Sequence, residues 1–109
     1  MKIGIIRCMQ TEDICPGTSD FKAIAGRKGA FAEIEGDIEL VGFANCGGCP
    51  GKRAGSRARL LQARGAEAVF MASCIGKGLP LNFPCPHADK MKELIEKSVP
   101  GVKVFDYTH

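Results

Sequence analysis

The chain of 109 residues has no tryptophan, one tyrosine and two histidines. No apolar run approaches the ~18–20 residues that a membrane-spanning helix requires. Aromatic residues make up 6% of the chain, too few for the stacking platforms on which proteins hold single-stranded nucleic acid. A net charge of +3 is too mild to mark a nucleic-acid surface. The opening Met1-Lys2-Ile3-Gly4-Ile5-Ile6-Arg7 is too short for a secretory leader and carries no small-residue cleavage site. Neither G-x4-G-K-[ST] nor G-x-G-x2-G occurs, so the glycines of Ile75-Gly76-Lys77-Gly78 do not make a nucleotide loop. Acids are missing between Glu39 and Glu67. Together these absences lead us to expect a cytoplasmic protein with no membrane and no nucleic-acid partner.

What is present is ordinary in bulk and unusual in detail. Hydrophobic residues account for 45% and charged residues for 25%, as in a soluble globular domain, and residues 1–109 read as one domain without linker or repeat. Six cysteines are many for such a chain, and in a reducing compartment they read as metal ligands or redox groups rather than as structural disulfides.

The most distinctive stretch is Asn45-Cys46-Gly47-Gly48-Cys49-Pro50-Gly51-Lys52-Arg53. An apolar run, Ile38 to Ala44, precedes it, and a segment with helical spacing, Lys52 to Arg64, follows. Two cysteines therefore sit on a strand-to-helix turn. Glycine there permits positive φ, Pro50 can open the helix, and the helix dipole favours thiolate. Other β-branched apolar runs read as strands at Lys2–Arg7, Ala68–Ser73 and Val102–Tyr107. Helical spacing runs over Phe21–Ala32, weakened by Gly26 and Gly29. In the second helix Ala54, Ala58 and Leu61 share one face, and Gly65 ends it. A third helix opens at Cys85-Pro86-His87, with Ala88, Met91, Leu94 and Ile95 on its buried face.

The resulting order, β-α-β-α-β-α-β, predicts a three-layer α/β domain with helical crossovers. Its four-stranded parallel sheet has the order 2-1-3-4, flavodoxin- or Rossmann-like. In such a sheet every strand ends on the same edge. Strand ends fall at Cys8, Cys46, Cys74 and His109, while Cys15, Cys49, Cys85 and His87 fall in the loops and helix starts beside them. All six cysteines and both histidines thus collect on the rim where open α/β sheets place ligands.

At these residues the chain resembles the CGGC-domain family. The likeness runs from Ile5-Ile6-Arg7-Cys8 and Thr11–Thr18 through Val41–Arg53 to Ala72–Gly78, Phe83–His87 and Thr108-His109. The resemblance implies a zinc-binding domain with no established reaction. It makes Cys8, Cys15, Cys46, Cys49, Cys74, Cys85, His87 and His109 candidate ligands.

The chemistry of the rim has three readings. The C-x2-C spacing of Cys46 and Cys49 lets two sulfurs grip one tetrahedral ion, with zinc the default and an iron–sulfur cluster the alternative. Among the candidates Cys46, Cys49, Cys74 and Cys8 come first, Cys85 and His87 next, Cys15 and His109 last. Arg7, Lys52 and Arg53 offset thiolate charge, or Lys52 and Arg53 hold a small anionic substrate of a metalloenzyme. The second class is a thiol–disulfide redox protein using Cys46 and Cys49. Taken singly, Cys8 and Cys74 read equally as core filling, His109 as a frayed terminus, and Arg57, Arg59 and Arg64 as a solvated face.

Overall fold

The computed structural model describes every residue from Met1 to His109. Four strands, β1 (Lys2–Arg7), β2 (Glu39–Asn45), β3 (Ala68–Met71) and β4 (Lys103–Phe105), form one sheet in the order β2-β1-β3-β4. All three pairings are parallel. The architecture and strand order expected from the sequence are therefore those observed. The helices are α1 (Thr18–Ala25), α2 (Ala54–Ala63), α3 (Ser73–Gly76) and α4 (Ala88–Ser98).

Period-2 alternation along the two central strands separates the layers. Ile6, Val69 and Met71 face α2 and α4, packing with Ala54, Ala58, Leu61, Met91 and Ile95. Ile3, Ile5, Ala68 and Phe70 face the opposite way, toward Ala23 of α1 and Phe31. The face predicted for the second helix, Ala54, Ala58 and Leu61, is buried. Leu61 reaches the sheet through a slot left by two glycines. A Cβ on Gly4 would stand 2.7 Å from Leu61 Cδ1, and one on Gly42 would also collide with that side chain. Filling the slot would overpack the core, at a cost of typically ~1–3 kcal/mol.

Element boundaries depart from the sequence reading where glycines or tertiary bonds intervene. The first helix ends at Ala25 rather than Ala32, because Arg27 (φ +53°) and Gly29 (φ +56°) turn the chain into a separate 3-10 turn at Gly29–Phe31. The second helix begins at Ala54, not at Lys52 behind Pro50, since Gly51 at φ +86° holds the chain outside helical geometry. The third strand stops at Met71; Ala72 caps α3, so Cys74 lies on a short helix instead of ending a strand. His87 is the N-cap position of α4. No helix is long and apolar enough to cross a membrane.

Candidate metal centre

The sheet order reverses between β1 and β3, since the chain leaves β1 toward β2 and returns to β3 on β1's other side. That switch point is where open α/β sheets bind ligands. Cys8 follows β1 and Cys74 follows β3 after two residues, and the Cys8 N–H donates to Cys74 Sγ at 3.2 Å across the gap. This contact is the seam between two groups of chemically active side chains.

The first group lies toward α2 and α4. Cys46 is 4% exposed and belongs to the core on that face, with Cys8, Cys74 and Cys85 packed against it; Cys74 also packs against the core of the opposite face. Burial pushes the Cys85 thiol up, the His87 N–H (3.4 Å from Cys85 Sγ) counters this, and the thiols of Cys49, Cys8 and Cys46 push it further up. Four cysteines from three separate stretches therefore share one electrostatic neighbourhood. The loop carrying two of them is shaped by its own residues. Gly47 (φ +83°) and Gly48 (φ +97°) adopt left-handed conformations that other residues resist. Asn45 Oδ1 accepts the Gly47 N–H at 2.8 Å, an Asx turn, while Asn45 Nδ2 donates to Glu12 at 2.6 Å. Cys49 stands five residues before α2, beyond the first-turn reach of the helix dipole invoked from sequence.

The second group lies toward α1 and lines a cavity of about 220 Å3 that includes Arg7, Cys15, Asp20, Cys74 and His109. The chain end is not frayed here. Thr108, fully buried, donates its hydroxyl to Asp20 Oδ1 at 2.5 Å and accepts the Ser73 N–H at 3.1 Å. Ser73 Oγ in turn accepts the N–H groups of Thr108 (3.1 Å) and His109 (3.0 Å). His109 Nε2 is thereby held 3.7 Å from Asp20 Oδ1. Gly29 makes room for this tail, since a Cβ there would strike the Thr108 carbonyl. Burial raises the Cys74 thiol above its ordinary range; hydrogen bonds from Cys8 and Thr11 oppose that rise, and Cys8 and Asp20 add to it.

The rim therefore divides the sequence candidates. Cys8, Cys46, Cys49 and Cys85 come together, with His87 beside them; Cys15 and His109 line the cavity, and Cys74 stands between, lining the cavity while packing against both cores. As the side chains stand, no three His, Cys, Asp or Glu donors are arranged to hold one ion. The donor set of the first group suits a thiophilic metal. Lys52 is exposed and lines a separate groove with His87 and Lys90, and exposed Arg53 lies over Gly47, so neither reaches the cavity. Sequence reasoning missed Asp20, Ser73 and Thr108. Asp20 carried only the signal of a first-turn acid in a helix, and the other two acquire their roles only when the tail returns to α3.

A parallel three-layer α/β domain with a cysteine-lined carboxyl edge is the class these features define. The chain belongs to the CGGC domain family, which matches residues 2–109. The family's cysteine richness points to metal binding. Two uncharacterized proteins of Methanocaldococcus jannaschii are similar to it. One is 48% identical over 80 residues, covering 68% of this chain and 62% of the relative. The other is 42% identical over 65 residues, covering 59% of this chain and 91% of the relative. The chain thus spans less than two thirds of the first relative's length. No solved structure matches it.

Proposed function

We propose that the protein binds zinc through the thiolates of Cys8, Cys46, Cys49 and Cys85. The observation that carries this reading is the packing of Cys8 and Cys85 against the core that contains Cys46, with Cys49 close enough to help push the Cys85 thiol up. Four thiols drawn together by three elements are more than a redox pair needs, and four sulfurs are what a closed tetrahedral zinc site takes. The His87 N–H aimed at Cys85 Sγ supplies the outer-shell hydrogen bond that steadies a coordinated thiolate. When bound, the ion would neutralise thiolate charge and tie β1, the Cys46–Cys49 loop and the approach to α4 together. Six unpaired cysteines suit a reducing compartment such as the cytoplasm.

The test is metal content of untagged protein purified without oxygen. One zinc per chain is expected, with a colourless spectrum. Cys85→Ser loses the ion, whereas Cys15→Ser keeps it. Removing a ligand costs more than the roughly 10–100-fold in affinity that an outer-shell partner is worth. Stoichiometric iron with labile sulfide would replace zinc by a cluster on the same thiols. Absence of any metal, with Cys46 and Cys49 forming a reversible disulfide, would return the protein to the thiol redox class.

A further inference from the structure

The cavity on the α1 side holds charge that its own walls leave open. Arg7 is 8% exposed and donates through Nη2 alone, to Thr11 Oγ1 at 3.4 Å and to the Cys15 carbonyl at 2.5 Å. None of the ion pairs in the molecule includes it, and its guanidinium carbon lies 5.8 Å from the centre of the Phe43 ring, which offers no oxygen acceptor. Asp20 is 5% exposed; its Oδ1 takes the Thr108 hydroxyl and faces His109, and its Oδ2 has no partner. Arg57 Nε is the one side-chain nitrogen or oxygen in the protein that is both sealed and unpartnered. The free Nε and Nη1 of Arg7 and the free Oδ2 of Asp20 are therefore not sealed, and both residues line the cavity. Thr18 and Ser19, the first turn of α1, line it too, and Gly17 offers no capping side chain to their N–H groups.

These walls ask for two properties in one ligand. A guanidinium beside an uncapped helix start recognises an oxyanion. A carboxylate in the same cavity repels a fully ionised anion but accepts an O–H. We infer that the cavity binds a protonated tetrahedral oxyanion of the hydrogenphosphate type. Arg7 and the start of α1 take the charged oxygens, and Asp20 Oδ2 takes the remaining proton. A cavity of about 220 Å3 has room for such a group. Sulfate, which carries no proton at neutral pH, meets Asp20 with a bare oxygen and is rejected. The inference stands on Arg7 and Asp20 and does not rest on metal at the thiols.

Isothermal titration of the reduced full chain at pH 7 with inorganic phosphate, arsenate and sulfate tests it. Phosphate and arsenate should each saturate one site, at least about tenfold more tightly than sulfate, the difference expected of one charge-assisted hydrogen bond. Methyl phosphate separates the two sources of this chemistry: affinity equal to phosphate assigns an esterified phosphate, weaker binding the free ion. Asp20→Asn should bring sulfate level with phosphate, because an amide can donate where the carboxylate cannot. Arg7→Lys should weaken both; should that variant not fold, as judged by circular dichroism, the Asp20→Asn ratio decides alone. Phosphate without saturable binding, sulfate equal to phosphate in the unaltered chain, or an unchanged ratio in Asp20→Asn would overturn the assignment. So would loss of phosphate binding in Cys49→Ser, which would put the anion on a thiol-bound metal.

Discussion

Two flanks of the same sheet edge can be set side by side. Toward α2 and α4, the charges acting on Cys85 are those of three other thiols. Toward α1, Arg7, Asp20 and His109 share a cavity whose ionic groups are only partly matched. The first flank offers sulfur donors, which suit the proposed cation. The second leaves Nε and Nη1 of Arg7 free for the proposed anion. Identical topology delivers both, because each crossover reaches the edge from its own face of the sheet. The Cys8 N–H to Cys74 Sγ contact marks where one regime gives way to the other.

The two flanks should come apart most clearly at Gly48. Valine there would have to adopt φ +97° and bring its Cβ to 3.1 Å from Met9 Cε. Strain of that kind costs of order 1–3 kcal/mol, and the loop can escape it by abandoning the conformation that presents Cys46 and Cys49. Gly48→Val should therefore lower zinc affinity roughly 10–100-fold in a chelator competition, about tenfold for each 1.4 kcal/mol. Phosphate titration of the same variant should be unchanged. Equal loss on both flanks would show that they are one site.

Thr108→Val reaches the other flank. Valine keeps the shape and removes the hydroxyl that serves Asp20 Oδ1 and the Ser73 N–H, both in a fully buried setting. Leaving such groups unpaired costs about 1–3 kcal/mol. The urea midpoint should fall accordingly, with zinc stoichiometry intact. Thr108→Ser keeps the hydroxyl and should recover most of the loss.

Which parts of this division were legible in the sequence follows from what kind of interaction makes each. Alternating apolar runs and turn glycines carry strand order and the shared edge, since both depend on periodicity and connectivity. Cys46 and Cys49 announce themselves by spacing. The place of Cys74 on a short helix between the two flanks was not legible, because Met71-Ala72-Ser73 continues an apolar run, whereas the structure starts α3 at Ser73, whose hydroxyl receives the chain end. Arg7 could be seen as a positive charge near the rim. Its confinement beside Cys15 depends on the loop of residues 9–17 folding back over it, which no local pattern encodes. Lys52 and Arg53 stand next to the motif in sequence; both are exposed, and Arg53 folds over Gly47, a contact that no local pattern encodes.

The smallest effect is also the one that assigns Cys74 to its flank. In reduced, metal-free protein, burial holds the thiols of both Cys74 and Cys85 above their ordinary range. The unfolded chain loses these protons first as pH rises past ~8.5. Between that pH and the raised folded values, the unfolded state binds fewer protons than the folded one, so stability falls as pH rises; below it both states are protonated and neither residue adds a slope. Cys74→Ala and Cys85→Ala should each flatten the decline measured by urea denaturation from pH 8 to 10. Zinc then separates them. A coordinated Cys85 is already a thiolate, so its contribution reverses and stability is lost as pH falls, when protons compete for the sulfur. Cys74, outside the proposed ligand set, should keep its alkaline slope in the zinc-loaded protein. A Cys74 slope that vanishes on adding zinc would make it a ligand and move the boundary between the two flanks toward α1.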